Sequence, residues 1–406
     1  MLDKADVVVI GAGAYGASVA FHLAQSGVNQ VVLLDKTQPV SQTSARAAGL
    51  SSQVQPTTLL TRMATSSVKA IERFEQDTGE TLAYHRSGSL KMARTNQHAG
   101  RLRREVVQAR QLGVDVELVT PDEITQLSPM VVADQVVQAS YTPGDIYFEP
   151  GELPMAYLRA ARRLGATVIP DVLVTGIGFK NNVVHSVITD QCEIHTPVVV
   201  DAAGAWSALV GNMVPVQIPL VPVRHQLLIT QPVAEVQPSH PILRVMDVNV
   251  YIRPCDGGLM LGGYEARPRM FDPHALAPDM DIQSLELDIT VLEELARQIS
   301  DVLPVFGDFE VREHRGGLPT MTVDGNPLLG PLPGIEGFYV ISGCCVGGLA
   351  KSPAMGRALA QWITEGQPAE DLQDAAPDRF AGQFDDTQQL VDACQWQYSH
   401  HYQKGE

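Results

Sequence analysis

The sequence predicts a mixed α/β (α+β) protein with two interleaved domains, one built on a parallel sheet and one on an antiparallel sheet. Three features support this prediction: a strand–helix–strand unit opens the chain, another buried strand with a glycine turn follows at 198–204, and alternating strands fill 219–332. Continuous apolar runs are typical of parallel strands, whereas alternation is typical of antiparallel strands. A chain of 406 residues is also long enough for about two domains.

The composition indicates a packed globular protein without affinity for polyanions. Hydrophobic residues make up 45% of the chain and charged residues 18%, as is usual for folded proteins. The formal net charge of −17 argues against nucleic acid or an anionic membrane as a partner, because both need a basic surface. The five cysteines lack a C-x-x-C spacing, so we predict no disulfide framework and no metal site. We expect a cytoplasmic protein without a leader or a transmembrane segment.

The opening unit carries a dinucleotide-binding pattern. A buried strand at 7–10 runs directly into G-A-G-A-Y-G at 11–16, a helix follows, and a second strand ends on Asp35. Gly11 allows a sharp turn, Gly13 allows a pyrophosphate to approach, and Gly16 allows helix and strand to pack closely. The helix N-terminus favours phosphate, and Asp35 is placed to bind ribose hydroxyls. The unit therefore predicts a Rossmann-like domain.

Three later segments are rich in the small residues that such a site needs. T-S-A-R-A-A-G-L at 43–50 predicts a helix start against a flat or anionic ligand, with a simple capped helix as the alternative. V-V-V-D-A-A-G-A-W-S at 198–207 predicts a buried strand beside the first strand, and 337–353 predicts a strand and a glycine-rich loop before a helix at 354–363. The chain therefore returns to the nucleotide domain at least twice.

These segments, in this order, resemble the FAD-dependent amine oxidoreductases of the D-amino-acid oxidase superfamily, in particular the dimethylglycine and sarcosine dehydrogenases and oxidases. The resemblance covers residues 5–365 and implies FAD. In the dimethylglycine type, a histidine that bonds covalently to the flavin precedes A-A-G-L, and Arg46 stands here instead. Monomeric sarcosine oxidases attach flavin to a cysteine near the position of Gly317. We therefore expect FAD to be bound without a covalent bond.

The motifs and the resemblance together predict the residues that bind the cofactor. A valine in the strand before 198–207 holds the adenine through its backbone in the resembled family, and Val174 takes that place here. The predicted cofactor-binding residues are Gly11, Ala12, Gly13, Tyr15, Gly16, Asp35, Lys36, Thr43, Ser44, Arg46, Ala47, Ala48, Gly49, Leu50, Val174, Ala203, Gly204, Trp206, Gly317, Leu318, Gly343, Val346, Gly347, Gly348, Leu349 and Ala350.

Two residues of the antiparallel block are predicted to be catalytic. Dimethylglycine-type enzymes place a histidine and a tyrosine over the flavin from P-V-x-H-x and Y-x-R segments, and His225 and Tyr251 match them. Amine oxidation requires a neutral nitrogen, so His225 could accept the amine proton while Tyr251 orients the substrate. From the residues alone, a strand histidine is more often structural. Lys351 lies one residue beyond the place where monomeric sarcosine oxidases hold the substrate carboxylate, which favours amines in general over small acids.

The resemblance also implies a division of the chain. We expect the FAD-binding domain over 1–84, 145–218 and 325–370, and the substrate domain over 85–144 and 219–324. Residues 371–406 are expected to form a tail, whose aromatic stretch at 396–402 is a docking segment rather than a metal site.

The implied reaction is oxidation of a C–N bond in a secondary or tertiary N-methylated amine or amino acid, such as dimethylglycine or sarcosine. Hydride would pass to flavin N5, the iminium would hydrolyse, and oxygen or an electron-carrier protein would reoxidise the flavin. The folate-binding half of mitochondrial dimethylglycine dehydrogenases has no match here, so we expect release of the aldehyde unless another subunit captures it. A flavin-dependent 2-hydroxyacid dehydrogenase, a primary amino-acid oxidase and a non-catalytic electron-relay subunit stay open as alternatives.

Overall fold

The computed structural model describes residues 3–384 and 386–403. Its strands are β1 (Val7–Ile10), β2 (Val31–Leu34), β3 (Leu50–Ser51), β4 (Tyr84–His85), β5 (Ser89–Ala93), β6 (Glu117–Val119), β7 (Gln138–Thr142), β8 (Ile146–Phe148), β9 (Thr167–Ile169), β10 (Val174–Lys180), β11 (Val183–Thr189), β12 (Glu193–His195), β13 (Val199–Asp201), β14 (Val221–Pro222), β15 (His225–Thr230), β16 (Ile242–Val245), β17 (Val250–Cys255), β18 (Gly258–Gly263), β19 (Val311–Gly317), β20 (Thr320–Met321), β21 (Leu328–Pro331) and β22 (Phe338–Ser342). Its α-helices are α1 (Ala14–Gln25), α2 (Thr58–Glu72), α3 (Phe74–Thr78), α4 (Asn96–Gln111), α5 (Pro121–Leu127), α6 (Glu152–Arg163), α7 (Ser207–Gly211), α8 (Ile289–Gln298), α9 (Gly348–Glu365) and α10 (Thr387–Ser399).

A six-stranded sheet carries the opening unit. Its strand order is β21-β22-β13-β1-β2-β9, and all neighbours are parallel except β21 and β22. All four residues of β1 and of β2 are buried, as expected for strands covered on both faces. Helix α1 packs against α6 and α9 over this sheet, with Phe21 and Tyr157 in the shared core. The predicted α/β class is confirmed.

An eight-stranded sheet forms the second layer of the molecule. Its order is β19-β15-β18-β17-β16-β5-β7-β6, and helix α8 covers one face through Leu292 and Leu295. The sheet is antiparallel except for one pair, because β5 and β16 run parallel. These two strands belong to different passages of the chain, 89–142 and 225–317, which meet at this pair. The domain boundaries themselves stay a prediction.

Two local expectations were wrong. Residues 43–46 form a short 3-10 turn rather than the start of a helix, and the chain then runs into β3. Helix α9 begins at Gly348, six residues before the predicted start at Ala354. Pro353 lies inside this helix and has no N–H to donate. The hydroxyl of Ser352 donates to the carbonyl of Leu349 instead, at 2.9 Å.

The segment predicted as a tail is structured where it is described. Helix α10 and a 3-10 turn at His401–Gln403 pack against the eight-stranded sheet and against β14 and β20. The aromatic stretch 396–402 packs on residues of this same chain, and its role as a docking segment stays a prediction. Over the described ranges, every helix is too short or too polar to cross a membrane.

Candidate functional site

A cavity of about 550 Å³ is bounded by both large sheets. Its wall contains the predicted catalytic residues and almost all of the predicted cofactor residues. The three exceptions are Ala12, Gly16 and Gly343. A Cβ at Gly16 would lie 1.8 Å from the carbonyl oxygen of Gly11, which shows that this glycine allows the helix to pack on the preceding turn.

One end of the cavity is formed by the loop between β1 and α1. Gly11 has a φ of +103°, and a Cβ there would lie 2.5 Å from the carbonyl oxygen of Ala202. The N–H of Ala12 donates to the carboxylate of Asp35 at 2.7 Å, and the N–H of Ala14 donates to the hydroxyl of Ser44 at 3.0 Å. Ser44 thus caps α1 rather than a helix of its own. Burial raises the pKa of Asp35.

A polar contact closes the cavity beside Asp35. The ammonium of Lys36 donates to the carbonyls of Pro278 and Met280 at 2.7 and 2.9 Å, and lies 3.4 Å from the ring centroid of Trp206. The indole N–H of Trp206 donates to the carbonyl of Ala277 at 2.9 Å. Burial lowers the pKa of Lys36 to about 8. These contacts fasten the loop 277–280 to the wall of the cavity.

The 43–50 segment is held from the opposite side. The hydroxyl of Thr43 accepts from the N–H of Leu318 at 3.0 Å, and a Cβ at Gly317 would lie 2.9 Å from Thr43. The guanidinium of Arg46 donates to the carbonyl of Ser41 at 3.0 Å. Arg253, which is 1% exposed, donates to the carbonyl of Ala48 at 2.7 Å. No sequence motif indicates this role for Arg253.

The wall fits a large ligand with phosphates and a polar ring. The N-termini of α1 and α9 border the cavity, and neither Gly13 nor Gly347 provides a side-chain cap. Helix N-termini of this kind favour anions. The buried hydroxyl of Tyr15 also borders the cavity and has no hydrogen-bond partner within the described ranges. An orphaned donor beside the N-termini of two helices matches the predicted site for FAD.

The other end of the cavity is built from the face of the eight-stranded sheet. The two ring nitrogens of His225 both bond to tyrosines: Nδ1 lies 2.7 Å from the hydroxyl of Tyr398, and Nε2 lies 2.8 Å from that of Tyr251. Burial lowers the pKa of His225 to about 3, so the ring is neutral near pH 7 and is a weak base. Its predicted role as a direct proton acceptor would require one of these hydrogen bonds to break.

Arg244 is a further functional residue that no sequence motif marks. It lines the same end of the cavity and lies directly opposite Tyr251 in the antiparallel register of β16 and β17, so the two side chains share one face of the sheet. Its guanidinium donates to Tyr402 at 3.0 Å and to Ser52 at 2.8 Å. Burial disfavours the charge, but Tyr402 and Asp145 outweigh it and raise the pKa of Arg244.

The C-terminal segment completes this end. The ring of His401 stacks on Tyr264 with centroids 3.9 Å apart, and both residues line the cavity. Lys351 also lines the cavity, and its ammonium lies over Gly347. No sequence motif marked these contacts, because they depend on the pairing of distant segments.

A possible metal cluster lies elsewhere. Among the described residues, His185, Glu193 and His195 place ligand atoms within 4.8 Å of one another on the exposed face of β11 and β12. None of the three lines the cavity. The prediction that the protein binds no metal is not tested by this arrangement.

Comparison with known proteins identifies the family. Residues 6–362 match the family model of the FAD-dependent oxidoreductases. The chain belongs to this family. It is 29% identical over 394 residues to the mitochondrial dimethylglycine dehydrogenase of Rattus norvegicus, covering 95% of this chain and 46% of that protein. It is 30% identical over 376 residues to the mitochondrial sarcosine dehydrogenase of Mus musculus, covering 91% and 41%.

The chain therefore spans about half the length of these curated relatives. A solved structure, the L-proline dehydrogenase from P. horikoshii, superposes with a TM-score of 0.85 at 24% identity, covering 94% of this chain and 98% of that one. This likeness confirms the fold. Family membership confirms the prediction of an FAD-dependent oxidoreductase.

Proposed function

We propose that this enzyme oxidises a C–N bond of an N-methylated amino acid whose carboxylate binds Arg244. The observation that carries the proposal is the placement of this cation. Arg244 lines the cavity beside Tyr251, and none of the described carboxylates forms an ion pair with it. Asp145 helps to keep the half-buried guanidinium charged but makes no direct ion pair with it, so a ligand can supply the carboxylate that bonds to it. The dehydrogenases named above support an N-methylated amine as the reacting group.

The residues around Arg244 suit the binding of a neutral amine. FAD, when bound, supplies the acceptor for two electrons. Arg244 and Tyr251 present donors from adjacent strands, and these would fix the carboxylate and orient the carbon that is oxidised. His225 carries no charge at neutral pH, so it does not repel a cation. Burial of the amine in this cavity favours its neutral form, which keeps the nitrogen lone pair available.

The products follow from the bond that is oxidised. Loss of a hydride equivalent from an N-methyl carbon leaves an iminium, and addition of water releases formaldehyde and the demethylated amino acid.

We also propose that FAD is held without a covalent bond, because Gly317 and Arg46 offer no nucleophile at the two expected attachment points. Acid precipitation should therefore release the flavin into the supernatant.

An anaerobic substrate panel tests the proposal. The FAD-loaded protein is mixed with sarcosine, dimethylglycine, longer N-methylamino acids, matching N-methylamines without a carboxylate, primary amino acids and 2-hydroxyacids, and flavin absorbance is followed. We expect N-methylamino acids to bleach the flavin and the matching amines to bleach it far more slowly. Bleaching by 2-hydroxyacids or primary amino acids alone would replace this proposal with the corresponding alternative.

If no compound bleaches the flavin, the alternative of a non-catalytic electron-relay subunit is favoured.

Readmission of air to a bleached sample identifies the electron acceptor. Rapid return of the flavin spectrum indicates an oxidase, and a slow return indicates that a carrier protein accepts the electrons.

A further inference from the structure

Helix α10 contributes Tyr398 to the substrate end of the cavity. Tyr398 is 0% exposed, and its hydroxyl lies 2.7 Å from Nδ1 of His225. His225 and Tyr251 line the cavity, whereas Tyr398 lies behind them and is not part of the wall. The hydrogen bond of Tyr398 therefore acts on the substrate end through the imidazole of His225.

The hydrogen bonds around His225 form one chain, in which each group donates to the next. A neutral imidazole has one donor and one acceptor nitrogen, so its two tyrosine partners must play opposite roles. Among the described residues, Nδ1 is the recorded hydrogen-bond partner of the Tyr398 hydroxyl. Because this hydroxyl is fully buried, its proton needs an acceptor and is donated to Nδ1. Nε2 then carries the ring proton and donates it to the oxygen of Tyr251. The hydroxyl proton of Tyr251 is left to face the cavity.

The packing leaves these rings little freedom. A Cβ at Gly262 would lie 2.3 Å from the hydroxyl of Tyr251, so the glycine makes room for this side chain on the sheet. The ring of His225 lies between Tyr251 and Tyr398, with centroid separations of 5.9 and 5.7 Å, and Tyr264 covers it at 5.3 Å. A ring enclosed in this way keeps both hydrogen bonds at once.

We propose that Tyr398 is a positioning residue that holds His225 in the tautomer protonated on Nε2, so that Tyr251 donates its hydroxyl proton to the substrate. The acceptor is the carboxylate bound at Arg244, and this part rests on the proposed function. Tyr251 and Arg244 then form a pair of donors on adjacent strands. His225 transmits the orientation from Tyr398 and does not remove the amine proton itself.

The first test measures the tautomer without any substrate. The FAD-loaded protein is labelled with ¹⁵N-histidine, and long-range ¹H–¹⁵N correlations distinguish a protonated ring nitrogen from a bare one. The signals of His225 are assigned by their loss in a His225→Asn variant. We expect the proton on Nε2 in the wild type. A proton on Nδ1 would overturn the proposal, whatever the substrate proves to be.

The second test measures coupling between the two tyrosines. Tyr251→Phe and Tyr398→Phe should each raise KM for the N-methylamino acid about tenfold, the effect of one hydrogen bond to a charged group, with kcat changed less than about twofold. The double variant should be no worse than the worse single variant, because both substitutions interrupt one chain. Multiplied effects in the double variant would show that Tyr398 is merely structural.

A matched control measures the general cost of losing a buried tyrosine hydroxyl. Tyr157 on α6 is 2% exposed, packs against Phe21 and does not line the cavity. Tyr157→Phe should leave KM unchanged. A KM increase in this control equal to that in Tyr398→Phe would overturn the proposed positioning role. If no compound in the panel is turned over, the proposed function fails while the tautomer measurement still decides this inference.

Discussion

The two ends of the cavity are built in different ways. The end near Asp35 is made mainly of backbone groups and glycines. They come from the loops that follow β1, β13 and β22 and from the stretch after the 43–46 turn. The end near His225 is made of large polar side chains from β15, β16, β17 and the segment after α10. The first end needs space and N–H groups, and the second needs particular side chains in register.

This difference explains why the two ends respond differently to substitution. A side chain added at a glycine turn closes the site to its ligand, because the neighbouring atoms belong to the backbone and cannot move away. A hydrogen bond between side chains can be lost while the cavity stays open. We therefore expect all-or-none effects at the first end and graded effects at the second.

Gly11→Ala should have the largest effect. The added Cβ meets the carbonyl of Ala202 at 2.5 Å, so we expect purified protein without bound FAD. Gly27→Ala is the matched control, since Gly27 also has a positive φ of +88° but nothing lies within 4 Å of its Cβ position. The control should keep FAD and lose only about 1 kcal/mol of stability. Equal FAD content in the two variants would contradict this account of the glycine turn.

Arg244→Met should reduce kcat/KM for N-methylamino acids by about a hundredfold, the expected cost of removing one partner of a buried, hydrogen-bonded charge pair. The matching amine without a carboxylate should be affected less than about threefold. Arg244→Lys should restore part of the loss, because it returns the charge but not the planar set of donors. A similar loss for the acid and the amine would show that Arg244 supports the wall and does not bind the substrate.

His225 should make stability depend on pH. Its pKa is about 3 in the folded state, below its ordinary value of 6.5, so between these values the unfolded chain binds more protons. The contribution of His225 to the free energy of unfolding therefore decreases as the pH falls from 6.5 towards 3, by at most about 1.4 kcal/mol per pH unit. Urea unfolding of the wild type and His225→Asn at several pH values measures the difference. A difference that is constant with pH would contradict a neutral buried imidazole.

Trp206→Phe should have the smallest effect. It removes the hydrogen bond to the carbonyl of Ala277 but keeps an aromatic ring beneath Lys36. We expect about a fivefold weaker affinity for FAD, the effect of one neutral hydrogen bond, and unchanged turnover once FAD is saturating. Fluorescence titration of the apoprotein measures the affinity. A change in kcat at saturating FAD would indicate that this contact also shapes the substrate end.

The sequence predicted the first end well because its signals are local. The turn at Gly11, the small residue at Gly16 and the acid at Asp35 lie within one strand–helix–strand unit, and each has a conformational reason that can be read from neighbouring residues. The start of α9 was placed too late because Pro353 normally marks the beginning of a helix, and the compensating hydroxyl of Ser352 is visible only in three dimensions.

The second end could be predicted only where a family resemblance supplied the residues, as for His225 and Tyr251. Arg244 occupies an ordinary strand sequence, and its importance comes from the register that sets it opposite Tyr251. Tyr398 lies 173 positions from His225 along the chain, so no periodicity or spacing connects them. Long-range pairing of this kind is a property of the tertiary structure.

The position of helix α10 near the end of the given sequence affects the order in which parts of the structure can form during synthesis. Both large sheets, including the eight-stranded one that carries His225 and Tyr251, are complete once residue 342 has been synthesised, but Tyr398 and His401 leave the ribosome later. A nascent chain can thus form both sheets before the substrate end is closed. The substrate end of the cavity is therefore completed later in synthesis than the sheets on which it rests.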